Sequence, residues 1–149
     1  MKPKRLISLL LAVCMVIAML PVSAFAADNA TSGPCGDDAT WALTEDNNGD
    51  YTLTISGTGA MNDYSKTAAP WSWANHHIRA IAIGDEITAI GAYAFKGCDR
   101  FYAITIPASV TTICQGAFRS CTSLETIDLS NDINLKTINS EAFYYCHNL

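Results

Sequence analysis

The chain has 149 residues, 50% of them hydrophobic, with 9 lysines and arginines against 14 aspartates and glutamates, for a formal net charge of −5. Its length sets one domain as the expectation. An acidic chain with no basic stripe is not the material of a nucleic-acid binder.

The N-terminus reads as an address. Lys2, Lys4 and Arg5 precede an apolar run from Leu6 to Leu20, Pro21 breaks it, and Ala24 and Ala26 form a small-x-small cleavage site. This is the pattern of a secretory signal peptide over residues 1–26. The run is shorter than the ~20 apolar residues that span a bilayer, so no membrane span is expected in the mature chain. Leu11-Ala12-Val13-Cys14 is only a faint lipoprotein box, because valine precedes the cysteine. From Ala27 onward six cations face all 14 acids, a net charge of −8. Cys35, Cys98, Cys114, Cys121 and Cys146 remain, an odd set that leaves at least one thiol free or paired between chains.

Residues 27–77 read as one β-hairpin and its sequel. Thr40 to Thr44 and Tyr51 to Ser56 alternate like strands, and Asn47-Asn48-Gly49-Asp50 between them is a turn signal. Ser56-Gly57-Thr58-Gly59 lacks the lysine and helix of a phosphate loop and reads as a turn after the hairpin. Pro70, Trp71 and Trp73 fall in a loop or short helical turn.

Residues 78–149 repeat. Three units begin at Ile78, Phe101 and Leu124, and Leu149 sits on the first apolar position of a fourth. The first half of each unit is apolar-x-x-apolar-x-apolar: Ile78, Ile81, Ile83; Phe101, Ile104, Ile106; Leu124, Ile127, Leu129. Alternation of the last two suits a short strand with one buried face. The second half sets Ile90, Ala94, Phe95 and Cys98 on one stripe of a short helix or helical turn, as it does Ile113, Ala117, Phe118, Cys121 and Ile138, Ala142, Phe143, Cys146. Ile87, Val110 and Leu135 lie between the halves, and the third unit is longer by two residues near Asn131 to Asn134. One unit alone has too few apolar side chains to offset the entropy of ordering its backbone. Stacked units bury both faces, which is how solenoids become stable. The hairpin then serves as the cap that a solenoid end requires.

The run I-x-I-P-x-x-V-x-x-I-x-x-x-A-F-x-x-C, complete from Ile104 to Cys121, resembles the BspA-type leucine-rich repeat. The first unit departs at Gly84-Asp85, where the proline would be, and the third at Ser130 and its insert. The segment from Cys35 to Tyr64 likewise resembles the segment that precedes such repeats in secreted bacterial proteins. The resemblance implies a repeat solenoid of short parallel strands and short helical turns with an N-terminal β-hairpin cap. It also implies a secreted or cell-surface protein whose role is protein binding or adhesion to a host or cell surface, without catalysis or cofactor.

The chemistry-bearing residues have plainer readings. Cys98, Cys121 and Cys146 hold one position in successive coils. Strand spacing of ~4.7–4.9 Å permits a disulfide by distance, whereas parallel inward side chains favour a ladder of buried thiols. Cys35 and Cys114 are the expected exposed thiols, with a bond between them as the alternative. His76-His77 and His147 read as loop histidines, Asp37-Asp38 and Asp85-Glu86 as solvated charge, and no ligand spacing marks a metal. Tyr144-Tyr145 replaces the polar or small Lys96-Gly97 and Arg119-Ser120, and exposed tyrosines suit interfaces.

The expected contact surface is the outward face of the strand ladder: Ala80 and Ala82, Ala103 and Thr105, Thr126 and Asp128. Three strands make a strip of about 15 Å, small beside the roughly 800 Å² that each partner buries in a standard interface. With Leu149 opening a further coil, the sequence reads as the start of something longer. The alternative to a binding module is therefore the N-terminal targeting or spacer region of a larger surface protein or enzyme whose functional domain lies beyond residue 149.

Overall fold

The computed structural model describes residues 30–130 and 134–149. The signal-peptide segment 1–26 and most of the two-residue insert lie outside them.

The hairpin forms where alternation places it. Strand β2 (Asp38–Glu45) pairs antiparallel with β3 (Tyr51–Ala60), with Trp41 opposite Ile55 and Leu43 opposite Leu53. These four side chains are buried together with Ala39. The five-residue loop 46–50 is organised by Asp46, whose carboxylate accepts the N–H groups of Asn48 at 2.7 Å and Asp50 at 3.0 Å. These two bonds hold its carboxyl below the usual carboxylate range. A further strand, β1 (Ser32–Pro34), adds antiparallel to β2.

β3 is longer than its sequence indicates. It runs through Ser56-Gly57-Thr58-Gly59, with Gly57 and Gly59 at φ 88° and 84°, so this stretch is strand rather than the expected turn. A side chain at Gly57 would meet the Asp38 carbonyl oxygen at 2.1 Å. The length matters, because β3 forms two parallel pairings. Tyr51–Ile55 pairs with β4 (Ile78–Ile83), and Gly59–Ala60 pairs with β5 (Ile87–Ile90). The hairpin thus supplies a rung zero on which the first coil is built.

The coils then wind as a solenoid of about three turns. One ladder runs β5, β7 (Thr112–Ile113) and β9 (Thr137–Ile138), all parallel. The other pairs β6 (Ala103–Thr105) with β8 (Thr126–Asp128). Ile78, Ile81, Phe101, Ile104, Ile106 and Leu124 are buried, while Leu129 and Ile138 of the third coil are exposed. The first unit lacks the proline because the Gly84 N–H donates to the Ile55 carbonyl at 2.9 Å. The Ser130 N–H in the third unit donates to the Asp128 carboxylate at 2.8 Å. Proline has no N–H with which to make either bond.

Of the short helix or helical turn expected for the Ala-Phe segment, the structure has the turns, strung one after another. The N–H groups of Ala94, Lys96 and Cys98 close turns on the carbonyls of Gly91, Tyr93 and Phe95. Those of Tyr93, Phe95 and Gly97 point outward to Gln115, Ala117 and Arg119 of the next coil at 2.8–3.0 Å. The second coil repeats this toward Ser140, Ala142 and Tyr144. An α-helix spends every interior N–H within itself, so only an alternating backbone can both turn and pair with a neighbouring coil. Left-handed residues provide the alternation: Tyr93, Gly116 and Glu141 at φ 56°, 60° and 58°, then Gly97, Ser120 and Tyr145 at 77°, 63° and 61°. Four of the six are not glycine, and the bonds between coils offset a cost of roughly 1–2 kcal/mol for each.

Through the centre runs an aromatic column. Trp71 stacks on Phe95 at 6.0 Å, Phe95 on Phe118 at 5.2 Å, and Phe118 on Phe143 at 5.4 Å. Trp71 is fully buried, and its indole N–H donates to the Ala94 carbonyl at 3.0 Å. It comes after β3 in the chain and is the rung-zero counterpart of the phenylalanines. Trp73, at the second residue of the 3₁₀ helix Ser72–His77, is partly exposed and packs edge-on against Tyr51.

Candidate functional site

β4, β6 and β8 carry the expected contact residues. Ala80, Ala82, Ala103, Thr105, Thr126 and Asp128 are all exposed, while the alternating Ile81 and Ile104 are buried and Ile127 is half-buried. Ala103 lies opposite Thr126 and Thr105 opposite Asp128 in the β6–β8 ladder. The strip also extends toward the cap, since Thr52 pairs with Ala80 and Thr54 with Ala82. Sequence reasoning missed this extension because it treated β3 as cap alone.

β4 and β6 are neighbours without a ladder between them. A concavity of about 760 Å³ opens there, lined on one side by Ile81, Ala82, Ile83 and Asp85 and on the other by residues 103–109 with Thr126 and Asp128. Five of the six expected contact residues line it; Ala80 does not. The hydroxyl and N–H of Ser130 hold the Asp128 carboxyl below its usual range, so it is charged at neutral pH. The site offers methyl groups, threonine hydroxyls and a fixed negative charge.

The cysteines are structural. Cys98, Cys121 and Cys146 are free thiols. The last two donate to the carbonyls of Phe95 and Phe118, one coil back, at 3.2 and 3.1 Å. Cys98 reaches Asn75 Oδ1 at 3.4 Å. Burial pushes the Cys98 thiol up. The neighbouring Cys146 sulfur, with burial adding to it, raises Cys121, and the nearby Cys121 thiol lowers Cys146. Cys35 is not the exposed thiol the sequence led us to expect: it is fully buried under the cap, and burial pushes it up to about 11. Cys114 is a half-buried free thiol. It occupies the position of Gly91, where a Cβ would lie 1.8 Å from the Asn62 carbonyl oxygen. The cap therefore demands glycine in the first coil and makes no such demand in the second.

His76 and His77 end the 3₁₀ helix, and His76 Nδ1 lies 2.9 Å from an Asp99 carboxylate oxygen at the surface. Tyr144 and Tyr145 are exposed and meet edge-to-face at 4.3 Å, with the Arg119 guanidinium 4.8 Å from the Tyr144 ring centre.

A coiled stack of short parallel strands, with inward Ile, Phe and Cys at fixed places, defines a leucine-rich repeat solenoid. The chain belongs to the BspA-type leucine-rich repeat family: a family profile described as "BspA type Leucine rich repeat region (6 copies)" matches residues 69–149. That match begins at Ala69, just before Trp71 and the rung-zero half-turn. The fold is similar to that of a leucine-rich repeat protein from Eubacterium ventriosum, with a TM-score of 0.61 and 31% identity over 72% of this chain and 27% of that one. It is also similar in fold to a leucine-rich cell surface protein from Faecalibacterium prausnitzii, with a TM-score of 0.50 and 21% identity over 78% of this chain and 38% of that one. The chain thus spans well under half the length of either structure. No curated protein matches it.

Proposed function

We propose that this chain is a non-enzymatic protein-binding module of a secreted or surface-displayed protein, serving adhesion to a host or cell surface. Its contact face is the outward side of β4, β6 and β8. The observation that carries this reading is the register: small or hydroxyl side chains stand outward at corresponding places on adjacent strands, around a concavity with a fixed carboxylate at its edge. Methyls and hydroxyls at matched places suit contact with another protein's surface. The leader sequence supports export, and the cell-surface description of the F. prausnitzii protein agrees with it. Asp85 and Asp128 around the concavity favour a partner that brings a basic side chain.

The test is binding of the chain to a panel of purified extracellular-matrix and host surface proteins, repeated with Ala103→Arg and Thr105→Glu. Both positions are exposed, so the variants keep the fold. Loss of a measured interaction in both variants supports this face; binding that survives both substitutions refutes it.

A further inference from the structure

A second concavity, of about 600 Å³, lies over the Ala-Phe turns where the cap segment meets the first two coils. It shares no residue with the strand-face site. Lys66, Lys96 and Arg119 line it, half of the six cations found beyond the leader, and no aspartate or glutamate does. Lys96 and Arg119 hold the same position in successive coils, and the N–H of Gly97, next to Lys96, donates to the Arg119 carbonyl at 2.9 Å. Like charges on adjacent rungs repel, and Lys96 has no carboxylate within 4.0 Å among the described residues, nor has Lys66. Only Arg119 is paired, with Glu141, outside the lining. A chain so rich in acid has thus gathered cations where its own fold gives two of them no carboxylate partner; the Lys96 ammonium instead lies 5.7 Å from the centre of the Tyr93 ring, which lines the same pocket. The volume is that of a ligand pocket.

We propose that this pocket binds the sulfate or carboxylate groups of an acidic saccharide. Three cations distributed over two coils and the cap fit a ligand with several spaced anions better than a single phosphate. Ser65, Thr67 and Ser72 line the same pocket, adding hydroxyl-bearing residues beside the cations that suit a ligand with its own hydroxyls. Asn75 is fixed at the edge, donating to the Lys96 carbonyl at 2.9 Å and accepting from the Cys98 thiol. An acidic peptide would present amides and methylenes between its charges, which these residues match less well.

Calorimetric titration of the chain tests this with four probes: a sulfated heparin hexasaccharide, a carboxylated oligogalacturonate, neutral maltohexaose and an oligoglutamate peptide. One or both acidic saccharides bind, and the arm that binds tighter identifies the anion. Maltohexaose does not bind, and the peptide binds at least about tenfold more weakly. Lys96→Gln weakens the saccharide about tenfold, the value of one charged hydrogen bond, and Lys66→Ala with Lys96→Gln abolishes binding. Both residues are exposed, so unchanged thermal melting shows that the fold is kept. Binding by neither acidic saccharide, equal or tighter binding of the peptide, or affinity unaltered by the double substitution overturns the proposal. Ala103→Arg leaves saccharide binding unchanged, which separates this site from the strand face.

Discussion

Phe118 is the residue whose loss most directly measures the solenoid. Its ring is fully buried and has an aromatic neighbour on each side, Phe95 at 5.2 Å and Phe143 at 5.4 Å. Truncating a buried phenylalanine to alanine costs about 3–5 kcal/mol, and each aromatic pair contributes about 0.5–1.5 kcal/mol beyond burial. Phe118→Ala therefore belongs at the upper end, about 4–5 kcal/mol. Phe143, half-buried with one ring neighbour, loses about half of that. Domains of this kind hold ~5–15 kcal/mol in all, so Phe118→Ala leaves little. Urea unfolding in reducing buffer, followed by tryptophan emission and by circular dichroism, reads the effect. At a slope of about 2 kcal/mol/M, the midpoint falls by about 2 M for Phe118→Ala and about 1 M for Phe143→Ala. Equal or reversed costs would refute the stacked column, because a residue with packing on both sides cannot then be distinguished from one with packing on one side.

Gly91→Ala pushes a methyl group into the Asn62 carbonyl and loosens the cap from the first coil, lowering the melting temperature, while Cys114→Ala at the equivalent place is well tolerated. Native-state labelling with iodoacetamide near pH 7.5 modifies Cys146 fastest, because its thiol is half-buried and its ionisation is favoured, and Cys114 more slowly; Cys35, Cys98 and Cys121 react only after denaturation. Asp46→Ala melts below the parent at neutral pH. Because the folded carboxyl ionises below its ordinary value of 3.8, the stabilisation is full above that value and is lost as pH falls through the lowered one, so the two proteins converge in strong acid.

The parts of this fold that could be read from sequence are those where side-chain period and backbone state coincide. The alternation in Thr40–Thr44 and Tyr51–Ser56 pointed to the hairpin, and the matched Ile, Phe and Cys positions to the coils. The same alternation accounts for the exposure of Ala80, Ala82, Ala103, Thr105, Thr126 and Asp128. One region was misread and another read only coarsely, for one reason: similar side-chain spacings serve different hydrogen-bond patterns. Ile90, Ala94, Phe95 and Cys98 have helical spacing, yet alternate N–H groups there leave for the next coil. The glycines of Ser56-Gly57-Thr58-Gly59 look like a turn, yet they let β3 continue past the Asp38 carbonyl to reach β5. Gly84 and Ser130 resemble flaws in the repeat, although the N–H of each makes a bond that proline could not, to the Ile55 carbonyl and to the Asp128 carboxylate. The pairing of Thr52 and Thr54 with Ala80 and Ala82, and the approach of Lys66 to Lys96 and Arg119, depend on how the cap docks; no local pattern encodes that.

Because β3 offers both of its halves as edges for the first coil, a part that leaves the ribosome before the coils is also the mould for the stack that follows it. Each later turn can settle on a finished surface as it emerges, without waiting for distant partners. Growth by accretion from one end keeps exposed strand edges to a single site at a time, which is a safeguard for a chain built from near-identical, mutually adhesive segments.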